Sequence, residues 1–295
     1  MVLVAVLLAL VVGNPGKPST AFHSNNHCCF RRLLRDAETY DSAGGPLPTI
    51  TYEHKSSKKL AALRQQFHLD SVCGNGSEIE RMVQLLHWVH RTIPHDGANA
   101  IGGATNTIDL MAKYRQEHRG LDCRGLATIL NEFLLSEGFE SRLLTCLPKD
   151  LSDHEHHVIA TAYSHTWHKW IWLDPSFGAY VTDSSNTPLT IEELRTAVAT
   201  QTPGIIVRSI DSSFVEQEYI EYLAKNLYWF QFPVHSTFNA EAETGSAPVD
   251  YIALLPKGYN PFGRSQISLR HGTAYLTNNA ALVWQEPSLQ MNKQR

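Results

Sequence analysis

Apolar residues at Ile79, Met82, Val83, Leu86, Val89 and Ile93 recur three and four positions apart, and this spacing predicts an amphipathic helix. Ser77 and Glu80 form a capping pair ahead of it and Pro94 closes it. A Gly- and Asn-rich loop over 97–106 leads to a second helical stretch at 108–116. Leu126, Ile129, Leu130, Phe133 and Leu134 then share one helical face, and Gly138 stands where a C-terminal cap is expected. That third helix opens at Asp122-Cys123-Arg124-Gly125, which puts Cys123 at a helix N-terminus. Three strand-like segments follow at 141–147, 157–163 and 169–173, the last two close enough to form an antiparallel hairpin. Thr190 and Glu193 cap another short helix, and 214–230 reads as a longer one rich in aromatics. From Asp250 onward short apolar runs (251–255, 267–269, 281–284) alternate with Gly, Pro and Asn, which predicts a small β-rich end. Helices followed by strands predict an α+β fold.

The N-terminal end differs in character. An apolar run over 2–13 is too short to span a bilayer and has the length of a signal-peptide core, with a small-residue cleavage site at Ser19-Thr20-Ala21. The expected organisation is a signal peptide over 1–21, an N-terminal segment over 22–76 that is loosely packed at least to residue 50, a core over 77–200 and a C-terminal extension over 201–295 packed on that core. Export to the periplasm or the extracellular space follows as an expectation, with no integral membrane segment in the mature chain. A formal charge of −4, from 25 basic against 29 acidic residues, offers no basic excess for phosphates, so nucleic acid is not an expected partner. The cysteine count of 5 is odd, so at least one thiol is left without an intrachain partner, and Cys123 is the candidate. Cys28, Cys29, Cys73 and Cys146 can form two bridges by arithmetic, or remain free thiols. No CxxC pair is present.

A thiol attacks as thiolate, which the positive end of a helix dipole and a nearby imidazolium both favour. Cys123 has the first by position. A cluster at His154, His156 and His157 offers the second, and His157 fits best because it directly precedes the alternation Val158, Ala160, Ala162 and so has a fixed backbone. The segments LDCRGLATILNEFLLSEGFESRLLTC, HHVIATAY and KWIWLDPSFGAYVTD, with cysteine, histidine and aspartate in that order, resemble the core of the transglutaminase-like superfamily, a papain-like thiol fold. The resemblance spans roughly residues 77–195 and is similar in particular to exported bacterial members with a C-terminal extension like NLYWFQFP. It implies Cys123 as nucleophile, His157 as general base and Asp174 as the carboxylate that orients the histidine. It further implies acyl transfer on a peptide or protein amide with no cofactor, the acceptor being water or an amine. Backbone N–H of Cys123 would be one oxyanion donor, with Asn99, Asn106 and Trp88 as candidates for the second.

Pairing His157 directly opposite Asp174 sets a hairpin with its tip between His165 and Thr166. That register would oppose Ile159 to Trp172, Thr161 to Trp170 and Tyr163 to His168. A slip of one residue would turn His157 to the other face and bring His156 to the aspartate. Arg124 and Lys169 read as solvated charges, and Asp122 would oppose thiolate formation if it faced the sulfur. Two other functions compete: a catalytically silent binding module on the same fold, and a metal site built from the histidine cluster with His165 and His168 nearby. Adjacent His156 and His157 on a strand point to opposite faces, which is poor geometry for one ion.

Overall fold

A computed structural model describes residues 27–37, 39–41, 46–242 and 248–287; the expected signal peptide lies outside them. Along the chain these residues form α1 (His27–Asp36), β1 (Thr51–Tyr52), α2 (Lys58–Gln66), α3 (Leu69–Cys73), α4 (Glu78–Thr92), α5 (Thr107–Glu117) and α6 (Cys123–Glu137). Then come β2 (Ser141–Leu147), β3 (His157–Ser164), β4 (Lys169–Asp174), β5 (Ala179–Thr182), α7 (Ile191–Thr200), β6 (Ile206–Ser209) and α8 (Glu216–Asn226). The C-terminal part supplies β7 (Trp229–Pro233), β8 (His235–Ser236), β9 (Tyr251–Leu254), β10 (Gln266–Leu269), β11 (Gly272–Thr277) and α9 (Ala280–Val283). The fold is α+β.

One mixed sheet, in the order β10-β11-β9-β7-β2-β3-β4-β5-β6, runs through the molecule, while β1 and β8 make a separate parallel pair. The period of two along the strands divides the core cleanly. Leu144, Cys146, Ile159, Trp170 and Trp172 face one way and are covered by α1, α7 and α8. Ala160, Ala162, Ile171 and Leu173 face the other way, under α4 and α6. The Ser77 and Thr190 capping boxes both form, and Gly138 ends α6 in the left-handed region that favours glycine.

Four local expectations are corrected. The hairpin pairs Thr161 with Trp172 and Tyr163 with Trp170, two residues away from the expected register. Its connection is wider because the Glu78 carboxylate, at the first turn of α4, accepts hydrogen bonds from Ser164 Oγ and from the backbone N–H groups of His165 (3.0 Å) and Thr166 (3.0 Å). A slip of two keeps every side chain on its face, so His157 and Asp174 still share one. The helix expected over 214–230 ends at Asn226, since the run Tyr228-Trp229-Phe230 gains more as a strand: Phe230 pairs with Cys146 and Trp229 with Leu147. Residues 281–284, expected as strand, belong to or flank the helical turn α9, capped by Asn279. Part of the segment expected to pack loosely forms α1, whose Leu34 is buried in the core.

The loop before α6 is held by a close approach. Leu121 N–H donates to Pro94 O (3.0 Å) and Asp96 N–H to Leu121 O (2.8 Å). A Cβ at Gly120 would lie 2.1 Å from the Pro94 carbonyl oxygen, a backbone atom that cannot swing away. Gly120→Ala should therefore cost roughly 1–3 kcal/mol, measured by urea unfolding; an unchanged midpoint would contradict the close approach.

Candidate functional site

Asp122 does not point its charge at the sulfur. Its carboxylate caps α6, accepting from Gly125 N–H at 2.8 Å, and leaves Cys123 as the first helical residue, half-buried. The first N–H groups of a helix have no intrahelical acceptor and carry the positive end of its dipole, so this cap turns a site favouring negative charge toward Cys123.

His157 is the first residue of β3 and Asp174 the last of β4, so antiparallel pairing brings them to the same end of the sheet. Both are buried, and His157 Nε2 meets Asp174 Oδ2 at 2.6 Å. The Cys123 side chain lies near enough to His157 to add to the rise in its pKa. With Nε2 engaged by Asp174, Nδ1 is the nitrogen left for another partner. Burial works against a charged imidazole here, but the Asp174 carboxylate outweighs it and raises the His157 pKa from 6.5 to about 10.

Asp174 is itself saturated with donors. Oδ1 accepts from Ser176 N–H at 3.0 Å, and Oδ2 accepts a second bond, from Tyr219 Oη at 2.9 Å. The Tyr219 hydroxyl in turn accepts from the Trp172 indole N–H at 2.8 Å. His90 on α4 donates Nδ1–H to Pro175 O (3.0 Å), fixing the turn that follows. Above His157 lie two aromatic rings, Tyr222 with its centroid 5.2 Å away and Phe177 at 5.9 Å, both edge-on. Tyr219 and Tyr222 belong to α8, three residues apart and so on one helical face. Sequence reasoning missed both; their only local signal is the aromatic-rich helix itself.

His156 faces away from this arrangement. Its Nδ1 bonds His154 O at 3.1 Å, and burial together with the Arg124 charge lowers its pKa to about 3. No group of three or more His, Cys, Asp or Glu side chains able to hold a metal ion occurs among the described residues. Cys29, Cys73, Cys123 and Cys146 are all free thiols. Arg124 corrects the expectation of a solvated charge: it is buried, with Nη1 2.8 Å from both Glu241 oxygens and Nη2 3.2 Å from Thr145 Oγ1. Lys169 pairs with Glu193 at 2.8 Å near the surface.

The three expected candidates for a second oxyanion donor have other work. Asn99 Nδ2 donates to Glu117 and to Gly120 O, each at 2.9 Å. Asn106 caps α5, and Trp88 packs between Phe67 and Phe133.

No family model matches the chain, and no curated protein matches it. A solved structure of a candidate cysteine protease from Cytophaga hutchinsonii is similar at 14% identity and a TM-score of 0.30, covering 68% of this chain. The chain spans 61% of the length of that neighbour, and a likeness of this size assigns no activity.

Tyr219→Phe removes one charge-assisted donor from Asp174 and leaves the Trp172 N–H without its acceptor. The expected result is a loss of roughly 1–3 kcal/mol in unfolding free energy by denaturant titration. An unchanged stability would show that Tyr219 does not hold the carboxylate.

Proposed function

We propose that this chain is a thiol-dependent acyl-transfer enzyme acting on amide bonds, with Cys123 as nucleophile, His157 as base and acid, and Asp174 as the group that orients it. The observation that carries this reading is one buried imidazole gripped by the Asp174 carboxylate, with the helix-start thiol of Cys123 near enough to raise its pKa. Asp174 fixes which ring nitrogen faces the carboxylate and stabilises the imidazolium, so the proton leaving Cys123 has a place to go. The thiolate sulfur would then form a bond to the amide carbonyl carbon while the carbonyl π pair moves onto oxygen. Collapse of that intermediate breaks the C–N bond as the His157 imidazolium gives its proton to the departing amine. His157, now neutral, takes a proton from water or an acceptor amine as it attacks the thioester, and thiol release completes the cycle. Hydrolysis of a peptide or peptide-like amide is the favoured outcome, in keeping with the export expected from the N-terminal apolar run.

The four free thiols among the described residues supply the test. Cys29 is exposed, Cys123 half-buried, and Cys73 and Cys146 buried. Accessibility alone would make Cys29 the fastest to react with iodoacetamide, whereas an activated Cys123 should be labelled at least about tenfold faster. Mapping of labelled peptides at neutral pH decides between them. Labelling that follows exposure would favour the catalytically silent binding module. Cys123→Ala should abolish turnover, and Asp174→Ala should lower it by on the order of a hundredfold without abolishing it; full activity in either variant would move the chemistry elsewhere.

A further inference from the structure

An acyl-transfer site needs donors aimed at the oxygen on which negative charge develops, and a backbone N–H of the helix start accounts for one. The second has no source among Asn99, Asn106 and Trp88, whose side chains are committed elsewhere. Packed against His157 stands α8. Its Tyr219 hydroxyl is bound to Asp174, which fixes the rotation of the helix about its axis. Three residues on, Tyr222 is thereby directed over His157, its ring 5.2 Å from the imidazole at an interplanar angle of 73° and 5.9 Å from the Phe177 ring. Lys225, a further three residues along, is buried and joins the helix to the loop leading into His157 through Asp153 (2.8 Å) and Glu155 (2.7 Å). Tyr222 is thus held from both ends of its own turn.

From this placement we propose that the Tyr222 hydroxyl is the second oxyanion donor, polarising the carbonyl under attack by Cys123. Burial keeps the phenol protonated, so it remains a hydrogen-bond donor. A phenol in that position donates a hydrogen bond to whichever atom beside Cys123 carries the negative charge. Once the sulfur bonds to carbon, that atom is the carbonyl oxygen. The hydroxyl donates without transferring its proton, so no further acid or base is required. The face of α8 that holds Asp174 in place would then also stabilise the transition state. This inference rests on Cys123 being the nucleophile, and its test separates the two claims.

Two probes that need no knowledge of the natural substrate suffice. p-Nitrophenyl acetate acylates a thiolate through a tetrahedral oxyanion: the S–C bond forms, the carbonyl oxygen takes the charge, and collapse expels p-nitrophenolate. Iodoacetamide alkylates by direct displacement of iodide and forms no oxyanion. Tyr222→Phe deletes only the hydroxyl and keeps the ring packed on His157 and Phe177, so the thermal unfolding midpoint serves as the control for folding. The expected result is acetylation of Cys123 slowed by about tenfold or more in Tyr222→Phe, with alkylation changed by no more than about twofold. Acetylation equal to that of the unsubstituted protein would overturn the proposal. Equal slowing of both reactions would overturn it too, placing the hydroxyl on the thiolate alone. If neither reagent prefers Cys123 in the unsubstituted protein, the nucleophile assignment itself falls, an outcome distinct from both.

Discussion

The contact between His157 and Asp174, 2.6 Å long and buried on both sides, is the constraint around which the surrounding structure is arranged. Removing two charged groups from water costs several kcal/mol per ion, and their mutual attraction offsets this only when the remaining lone pairs are also satisfied. Asp174 meets that condition through Ser176 N–H and Tyr219, and Trp172 fixes Tyr219 from behind. Each of these partners comes from a different place: the turn after β4, the helix α8, and the strand β4 itself. Truncating Tyr219 would leave the buried carboxylate short of a partner, which costs more than the deleted bond contributed.

Cys123 reaches this pair from the other side of the sheet. Helix α6 packs on the face carrying Ala160 and Ala162, whereas His157 lies on the face covered by α8, so the two meet only at the strand ends. The position of the α6 start therefore matters to within a fraction of a residue. Gly120 permits the backbone approach to Pro94, Asp122 caps the helix, and the buried Arg124–Glu241 pair ties its first turn to the segment before β9. Breaking such a buried pair by removing one partner is strongly destabilising. Arg124 thus anchors the helix that presents Cys123, a structural role for a residue whose sequence position beside the thiol suggests only a solvated charge.

What could be read from the sequence follows the range of the interactions that decide it. Helix α6 and its cap are legible because the apolar spacing, Asp122 and Gly138 are all local signals. The shared face of His157 and Asp174 is legible because alternation has a period of two, and it survives the register difference because that difference is two residues. The register itself is not legible, since it is set by Glu78, which lies 86 residues from Ser164. Tyr219 is separated from Asp174 by 45 residues and Arg124 from Glu241 by 117. No propensity or spacing links such pairs. The stretch from residue 201, expected as an extension packed on the core, adds strands β7, β9, β10 and β11 to the sheet and, through α8, two tyrosines beside the His157–Asp174 pair.

The proposed chemistry depends most directly on whether His157 is held as an imidazolium by Asp174. A nitrogen-resolved NMR titration of the histidine side chains, with His157→Gln to assign the resonance, measures this directly. The expected result is an imidazole that stays protonated far above the ordinary value of 6.5, titrating toward about 10, and that returns to the ordinary range in Asp174→Asn. A His157 that titrates at or below 6.5, or one indifferent to Asp174→Asn, would contradict the account.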